Sequence, residues 1–225
     1  MLKQLIAASI VGLCSVNSFA STVATYGWED GGTVLGEYDP GNEITYSNLS
    51  SFSHSGTSSL LAEDLSDSAS GTPQGYLAWV NGLTDGDTIS ASVWMYDTSA
   101  STAPSGRIWG HYSDDSGNID SYAGSAGGNS SYTSGNGWEQ VNYTWTFDSS
   151  GGARDGFVLE FRFYDGSTVP TGSLLVDDLT ITTSSDTATI TTPAISSVPL
   201  PAAAWLFGGA LVAMAGVGRT RKIKN

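Results

Sequence analysis

Short runs of alternating apolar and polar residues, closed off by Gly, Asp, Asn and Ser, dominate the middle of this chain and leave no stretch with useful helical periodicity. Between Thr88 and Tyr96, Ile89, Ala91, Val93 and Met95 fall on one face, with Ser90, Ser92, Trp94 and Tyr96 on the other. Val141, Tyr143, Trp145 and Phe147 alternate with Gln140, Asn142, Thr144 and Thr146. Phe157, Leu159, Phe161 and Phe163 alternate with Val158, Glu160, Arg162 and Tyr164. Leu175, Asp177, Leu179 and Ile181 share one face of the last such run. Successive side chains of a strand point to opposite faces, so each run is a strand with one side to bury. Weaker strands are expected at 23–29, 43–52, 58–65, 75–80, 106–113 and 119–122. About ten strands with no intervening helix predict an all-β fold, a two-sheet antiparallel β-sandwich. The Gly- and Ser-rich stretch 124–137 is expected to be a loop.

Charge is distributed unevenly. All 22 acidic residues lie between the two ends, against only Arg107, Arg154 and Arg162 in the same stretch. So acidic a surface repels phosphates and anionic lipid, which excludes nucleic acid as a partner. At the N-terminus, Lys3, an apolar core from Leu5 to Val16 and Ser18-Phe19-Ala20 have the form of a signal peptide over 1–20, to be removed by signal peptidase. Cys14 is the only cysteine and leaves with that leader, so no disulfide is expected in the remaining domain. Residues 184–197, rich in Ser and Thr, are expected to be a spacer.

The C-terminal 28 residues carry Val198-Pro199-Leu200-Pro201-Ala202, an uncharged run to Gly218, and a basic tail containing Arg219, Arg221, Lys222 and Lys224. About 25 Å of helix would fit that run, predicting a transmembrane helix with the basic residues on the cytoplasmic side. Motif, helix and basic tail together resemble the sorting signal of PEP-CTERM proteins, in a Val-Pro-Leu-Pro-Ala variant. The resemblance implies an exosortase as partner and export across the inner membrane of a Gram-negative bacterium. The destination would be the cell surface or extracellular matrix, with membrane anchoring through the C-terminus until processing.

The middle domain, 21–183, resembles the jelly-roll carbohydrate-binding modules of the galactose-binding-like superfamily. Five stretches carry the likeness in order: Trp28-Glu29-Asp30-Gly31, 54–60 (His-Ser-Gly-Thr-Ser-Ser-Leu), 80–87 (Val-Asn-Gly-Leu-Thr-Asp-Gly-Asp), Gly137-Trp138 with the strand after it, and Leu175-Val176-Asp177-Asp178-Leu179. It implies a structural Ca²⁺ held by Glu29, Asp177 and oxygens near Ser55 and Ser58. The residues alone leave open an Asp177 at a strand end already in solvent, or a carboxylate satisfied by backbone N–H groups or Ser hydroxyls. A sugar site needs exposed aromatic faces beside hydrogen-bonding groups, which makes Trp94, Tyr96, Arg107, Trp109 and His111 the candidates, with Trp79 and Tyr112 as further aromatics. Trp28, Trp138 and Trp145 are expected in the core. Asp and Glu clusters fall in turns, and neither His54 nor His111 has metal spacing. No catalytic set is visible, so the chain is expected not to be an enzyme. The expected function is non-catalytic association with polysaccharide. Its alternatives are a structural envelope or matrix protein without a sugar site and, more remotely, a glycoside-active enzyme.

Overall fold

The computed structural model describes residues 21–65, 72–97, 105–132, 137–164 and 172–193. Among them are twelve strands: β1 Thr22–Tyr26, β2 Glu37–Tyr38, β3 Ile44–Leu49, β4 Ser59–Asp64, β5 Gln74–Asn81, β6 Thr88–Asp97, β7 Ser105–Ser113, β8 Ser125–Ser131, β9 Glu139–Thr146, β10 Gly156–Tyr164, β11 Ser173–Thr183 and β12 Thr189–Thr191. The first sheet runs β3-β4-β11-β6-β9, with β1 also paired to β11. The second runs β12-β5-β10-β7-β8, with β2 also paired to β5. The strand pairs are antiparallel. From β4 to β11 the chain crosses between sheets at every connection except β7 to β8, which is the connectivity of a jelly roll. The expected all-β two-sheet sandwich is present.

Alternation explains the core. Ile89, Val93 and Met95 of β6 and Leu174, Val176, Leu179 and Ile181 of β11 meet Val80, Ile108, Phe157, Leu159 and Phe161 of the second sheet. Gly110 lies opposite Leu159 on the inner face because a Cβ there would fall on the Phe157 ring. The polar alternates of β5, β7 and β10 are thereby turned to the outer face of the second sheet, where they assemble the site.

Four expectations are corrected. Residues 124–137 are not all loop, since β8 pairs with β7 there, and a Cβ at Gly128 would stand 2.5 Å from the Ile108 carbonyl oxygen. Residues 119–122 form turns rather than a strand. The first part of the expected spacer belongs to the domain: β12 pairs with β5, and Ala188, Ile190 and Thr192 turn inward. Their period-two burial was concealed by a Ser/Thr-rich composition. Finally, no helix among the described residues is long and apolar enough to cross a membrane, and the described helix Ser149–Gly151 is a single 3-10 turn. Among the described residues, then, nothing provides the expected transmembrane helix or the C-terminal membrane anchoring that depended on it. The run 202–218 lies outside the described residues, as do the leader 1–20, Val198–Ala202, Arg219, Arg221, Lys222 and Lys224.

Candidate functional site

Register across β5, β10 and β7 sets outward side chains in rows. Gln74, Arg162 and Arg107 form one row, Tyr76, Glu160 and Trp109 the next, and Trp79, Val158 and His111 the third. Glu160 is wholly buried although it faces away from the core. Its carboxylate survives there because donors surround it. His111 Nδ1 stands 2.5 Å from Oε1, and Arg162 Nε donates to Oε2 at 2.7 Å. The Gln74 amide, with its nitrogen turned inward, donates to both oxygens at 3.1 Å. A carboxylate can only accept, which places the imidazole proton on Nδ1. Burial, reinforced by Glu160 and Asp120, pushes the Tyr76 hydroxyl up to about 12, so it remains a proton donor at neutral pH.

This network forms part of the floor and wall of a groove of about 520 Å³ lined by Tyr38, Gln74, Tyr76, His111, Asp120, Tyr122 and Arg162. The volume lies within the range of small-molecule sites. Tyr38 is 51% exposed and Tyr122 is 63% exposed, so both rings are open to solvent beside a polar floor. Tyr122 also approaches His111, with ring centroids 5.6 Å apart. The arrangement offers flat apolar faces together with fixed charged and neutral hydrogen-bonding groups.

The five sugar candidates do not meet at one place. Arg107, Trp109 and His111 share the outer face of the second sheet, as their alternation requires. Trp94 and Tyr96 lie on β6, in the first sheet, and point away from the sandwich on its opposite side. Sequence proximity suggested neighbouring strands, but a jelly roll sends consecutive strands to different sheets. Of the three on the groove side, His111 lines the groove. One face of Trp109 is covered by the Arg162 guanidinium, 4.4 Å from the ring centroid, and its indole N–H is spent on Ser125. Arg107 lies over Tyr164 at 4.5 Å. Among the further aromatics, Trp79 is half-buried on the groove face, while Tyr112 is buried in the core.

Tyr38, Gln74, Tyr76, Asp120, Tyr122, Glu160 and Arg162 were missed as site residues. The charged pair at alternate positions of one strand, Glu160 and Arg162, was a usable signal. Tyr38 and Tyr122 carried none, because one sits in a two-residue strand and the other in a loop.

The residues implied to hold calcium lie around the loop 53–58. Asp177 is wholly buried, but not with Leu179 and Ile181. A bulge at Asp178, whose φ is 49°, reverses the alternation, so Asp177 pairs across to Trp94 and Leu175 to Tyr96 on the outer face. Its Oδ2 accepts from the backbone N–H groups of His54 at 2.8 Å and Ser55 at 3.1 Å, and its Oδ1 from that of Asp178 at 2.7 Å. Glu29 accepts from the N–H groups of Thr57 and Ser58 and from the Thr57 hydroxyl. The Ser55 hydroxyl donates to Asp178. These carboxylates therefore face N–H dipoles, whose positive ends take the place a cation would need. Among the described residues no group of three or more His, Cys, Asp or Glu could hold a metal ion. In this arrangement the Asp177 and Glu29 carboxylates are both satisfied by N–H and hydroxyl donors, which is an alternative that the residues left open. Trp28 and Trp145 are buried as expected, whereas Trp138 is half-exposed on the outer face of the first sheet.

No protein family and no curated protein matches the chain. Among solved structures, it is similar to the CBM22-1 xylan-binding domain of Paenibacillus barcinonensis Xyn10C, at 15% identity and a TM-score of 0.47, over 71% of this chain and 92% of that one. It is similar also to the C-terminal family 22 carbohydrate-binding module of Clostridium thermocellum Xyn10B, at 19% identity and a TM-score of 0.45, over 69% and 92%. A CBM4 structure gives 17% identity and a TM-score of 0.41, over 67% and 93%. Likeness at these identities concerns the fold.

Proposed function

We propose that this chain is a non-catalytic glycan-binding module whose groove takes a stretch of neutral polysaccharide. The observation that carries the reading is the presence in one groove of two solvent-open rings, Tyr38 and Tyr122, with His111 and Arg162 held by the buried Glu160. Sugar rings present C–H faces to aromatic side chains and hydroxyls to fixed polar groups, and the groove supplies both. A surplus of 22 acidic over eight basic residues disfavours anionic glycans. The test is affinity electrophoresis of the full chain in gels containing xylan, mixed-linkage glucan or galactomannan, with polygalacturonate as the anionic control. Tyr122→Ala is expected to weaken retention by about tenfold on the neutral glycan that retains the parent. A parent protein retarded by none of them would favour the structural envelope or matrix reading.

Two further parts of this reading rest on narrower support. The clip between β11 and the loop 53–58 works through hydrogen bonds, without calcium. The melting temperature is accordingly expected to agree within about 1 °C in EDTA and in millimolar calcium, and a rise of about 5 °C with calcium would restore the metal. Val198-Pro199-Leu200-Pro201-Ala202 is the basis for processing by an exosortase. An intact mass ending near Ala202 would support that step, and one ending at Asn225 would remove it.

A further inference from the structure

On the side of the sandwich opposite the groove, aromatic residues collect above β6. His54 stacks on Trp94 with centroids 3.9 Å apart and planes 14° from parallel. Phe52 lies over Trp138 at 5.9 Å and 13°, and Tyr96 touches both at 4.9 and 5.5 Å. Phe52 is 42% exposed, and His54, Trp94, Tyr96 and Trp138 are each half-buried. Clustering alone would describe packing of the loop on the sheet. The polar tips of the rings add a separate observation.

Six tryptophans are described, and four of them spend the indole N–H inside the protein: Trp28 on the Thr33 carbonyl, Trp79 on Ser113, Trp109 on Ser125 and Trp145 on the Gly127 carbonyl. Among the described residues the other two, Trp94 and Trp138, have no such acceptor, and both stand in this patch. The Tyr96 hydroxyl also lacks a partner among the described residues. His54 commits Nδ1 to Asp178 at 2.6 Å, which leaves Nε2 for a ligand. Beyond Trp94 the same sheet face continues as uncharged hydrogen-bonding side chains, Gln140 and then Asn142, Ser92 and Thr180, in register across β9, β6 and β11. The carboxylates beside these rings, Asp177 and Asp178, are already engaged by backbone N–H groups, Ser55 and His54. An aromatic surface with unspent donors in so acidic a chain is therefore complementary to a neutral polyol rather than to an anion.

We propose that this patch is a second glycan-contacting face, so that one molecule holds two neutral polysaccharide chains on opposite sheets. The proposal rests on the glycan-binding reading of the groove and extends it to bridging. Two contacts per molecule convert a binder into a cross-linker without any new affinity at either face.

The full chain is compared with Trp138→Ala, Phe52→Ala, Trp94→Phe and Tyr122→Ala on xylan, mixed-linkage glucan and galactomannan. Native gel retention and the turbidity of protein–polysaccharide mixtures are both read. Phe52→Ala changes an exposed ring and Trp94→Phe keeps the stack while deleting one N–H, which guards against misfolding of Trp138→Ala. Each patch variant is expected to weaken retention by about 3- to 10-fold and to abolish turbidity, as Tyr122→Ala does from the other face. If the patch variants retain parental binding and turbidity while Tyr122→Ala loses both, the second face is refuted and the groove stands. If neither group of variants changes anything, both readings fall. A parent that sediments as a dimer dissociated by Trp138→Ala would make the patch a contact between copies and overturn the proposal.

Discussion

Glu160→Ala is expected to lower the stability of the fold by about 3–5 kcal/mol, because it strips a buried ion pair of one partner. The Arg162 guanidinium and the His111 imidazole would then stand against a small apolar side chain, with Gln74 also losing its acceptor. At roughly 2–4 °C per kcal/mol for a domain of this size, the melting temperature should fall by about 10 °C. Glycan retention should fall with it, since Arg162, His111 and Gln74 line the groove and would lose the group that orients them. Glu160→Gln keeps an acceptor and the shape, and should cost about half as much. A thermal melt and a gel-retention assay on the two variants check this. A loss under about 1 kcal/mol for Glu160→Ala would mean that water already satisfies those donors, and the network could not be said to set the groove.

Asp177→Ala is the second substitution with a large expected effect, about 3–4 kcal/mol, and it acts on the other side of the sandwich. The carboxylate takes three backbone N–H groups, from His54, Ser55 and Asp178, all of which lose that acceptor in the variant. Loss of the clip should free the loop 53–58 from β11, seen as faster amide exchange at Ser55 along with a melting temperature lower by about 10 °C. Unchanged exchange at Ser55 would show that the loop is held by Glu29 alone. The same residue has a pH signature. Burial holds its carboxyl above the usual carboxylate range, while the N–H groups of Ser55, Asp178 and His54 pull it down. A raised folded-state pKa means that the folded chain takes up the proton before the unfolded chain does. This group's contribution therefore favours the fold as pH falls towards the usual carboxylate value, and that gain is lost as pH rises through the folded-state pKa. Glu29 and Asp30 are lowered, Glu29 chiefly by Thr57 and Asp30 chiefly by Tyr26, and so act in the opposite sense. Asp177→Asn removes only the favourable acid-side component, so its melting temperature should fall more steeply than the parent's across the acid carboxylate range.

Much of the architecture was legible before any coordinates. Ile89, Val93 and Met95, or Phe157, Leu159 and Phe161, can be assigned to a buried face by counting in twos, because the pleat of a strand is a local property. The same count placed Arg107, Trp109 and His111 together and distinguished Glu160 and Arg162 from their apolar neighbours. It went wrong at Asp177, where one residue in the left-handed region inverts the phase of β11, and composition offers no sign of a bulge. It went wrong also at Ile190, whose burial depends on a partner strand more than 100 residues earlier in the chain.

What the sequence by itself determined is therefore the class of fold, the inward face of most strands and the acidic, uncharged-ligand-favouring character of the surface. All of these follow from residue type and short-range periodicity. Only the tertiary structure decided which outward residues share a side. Trp94 and Trp109 are 15 positions apart yet belong to opposite sheets, while Tyr38, Tyr122 and Arg162 converge on one groove from three distant segments. That grouping comes from strand order, which no local pattern encodes. It is why one expected aromatic site becomes a groove on one face and a separate aromatic patch on the other.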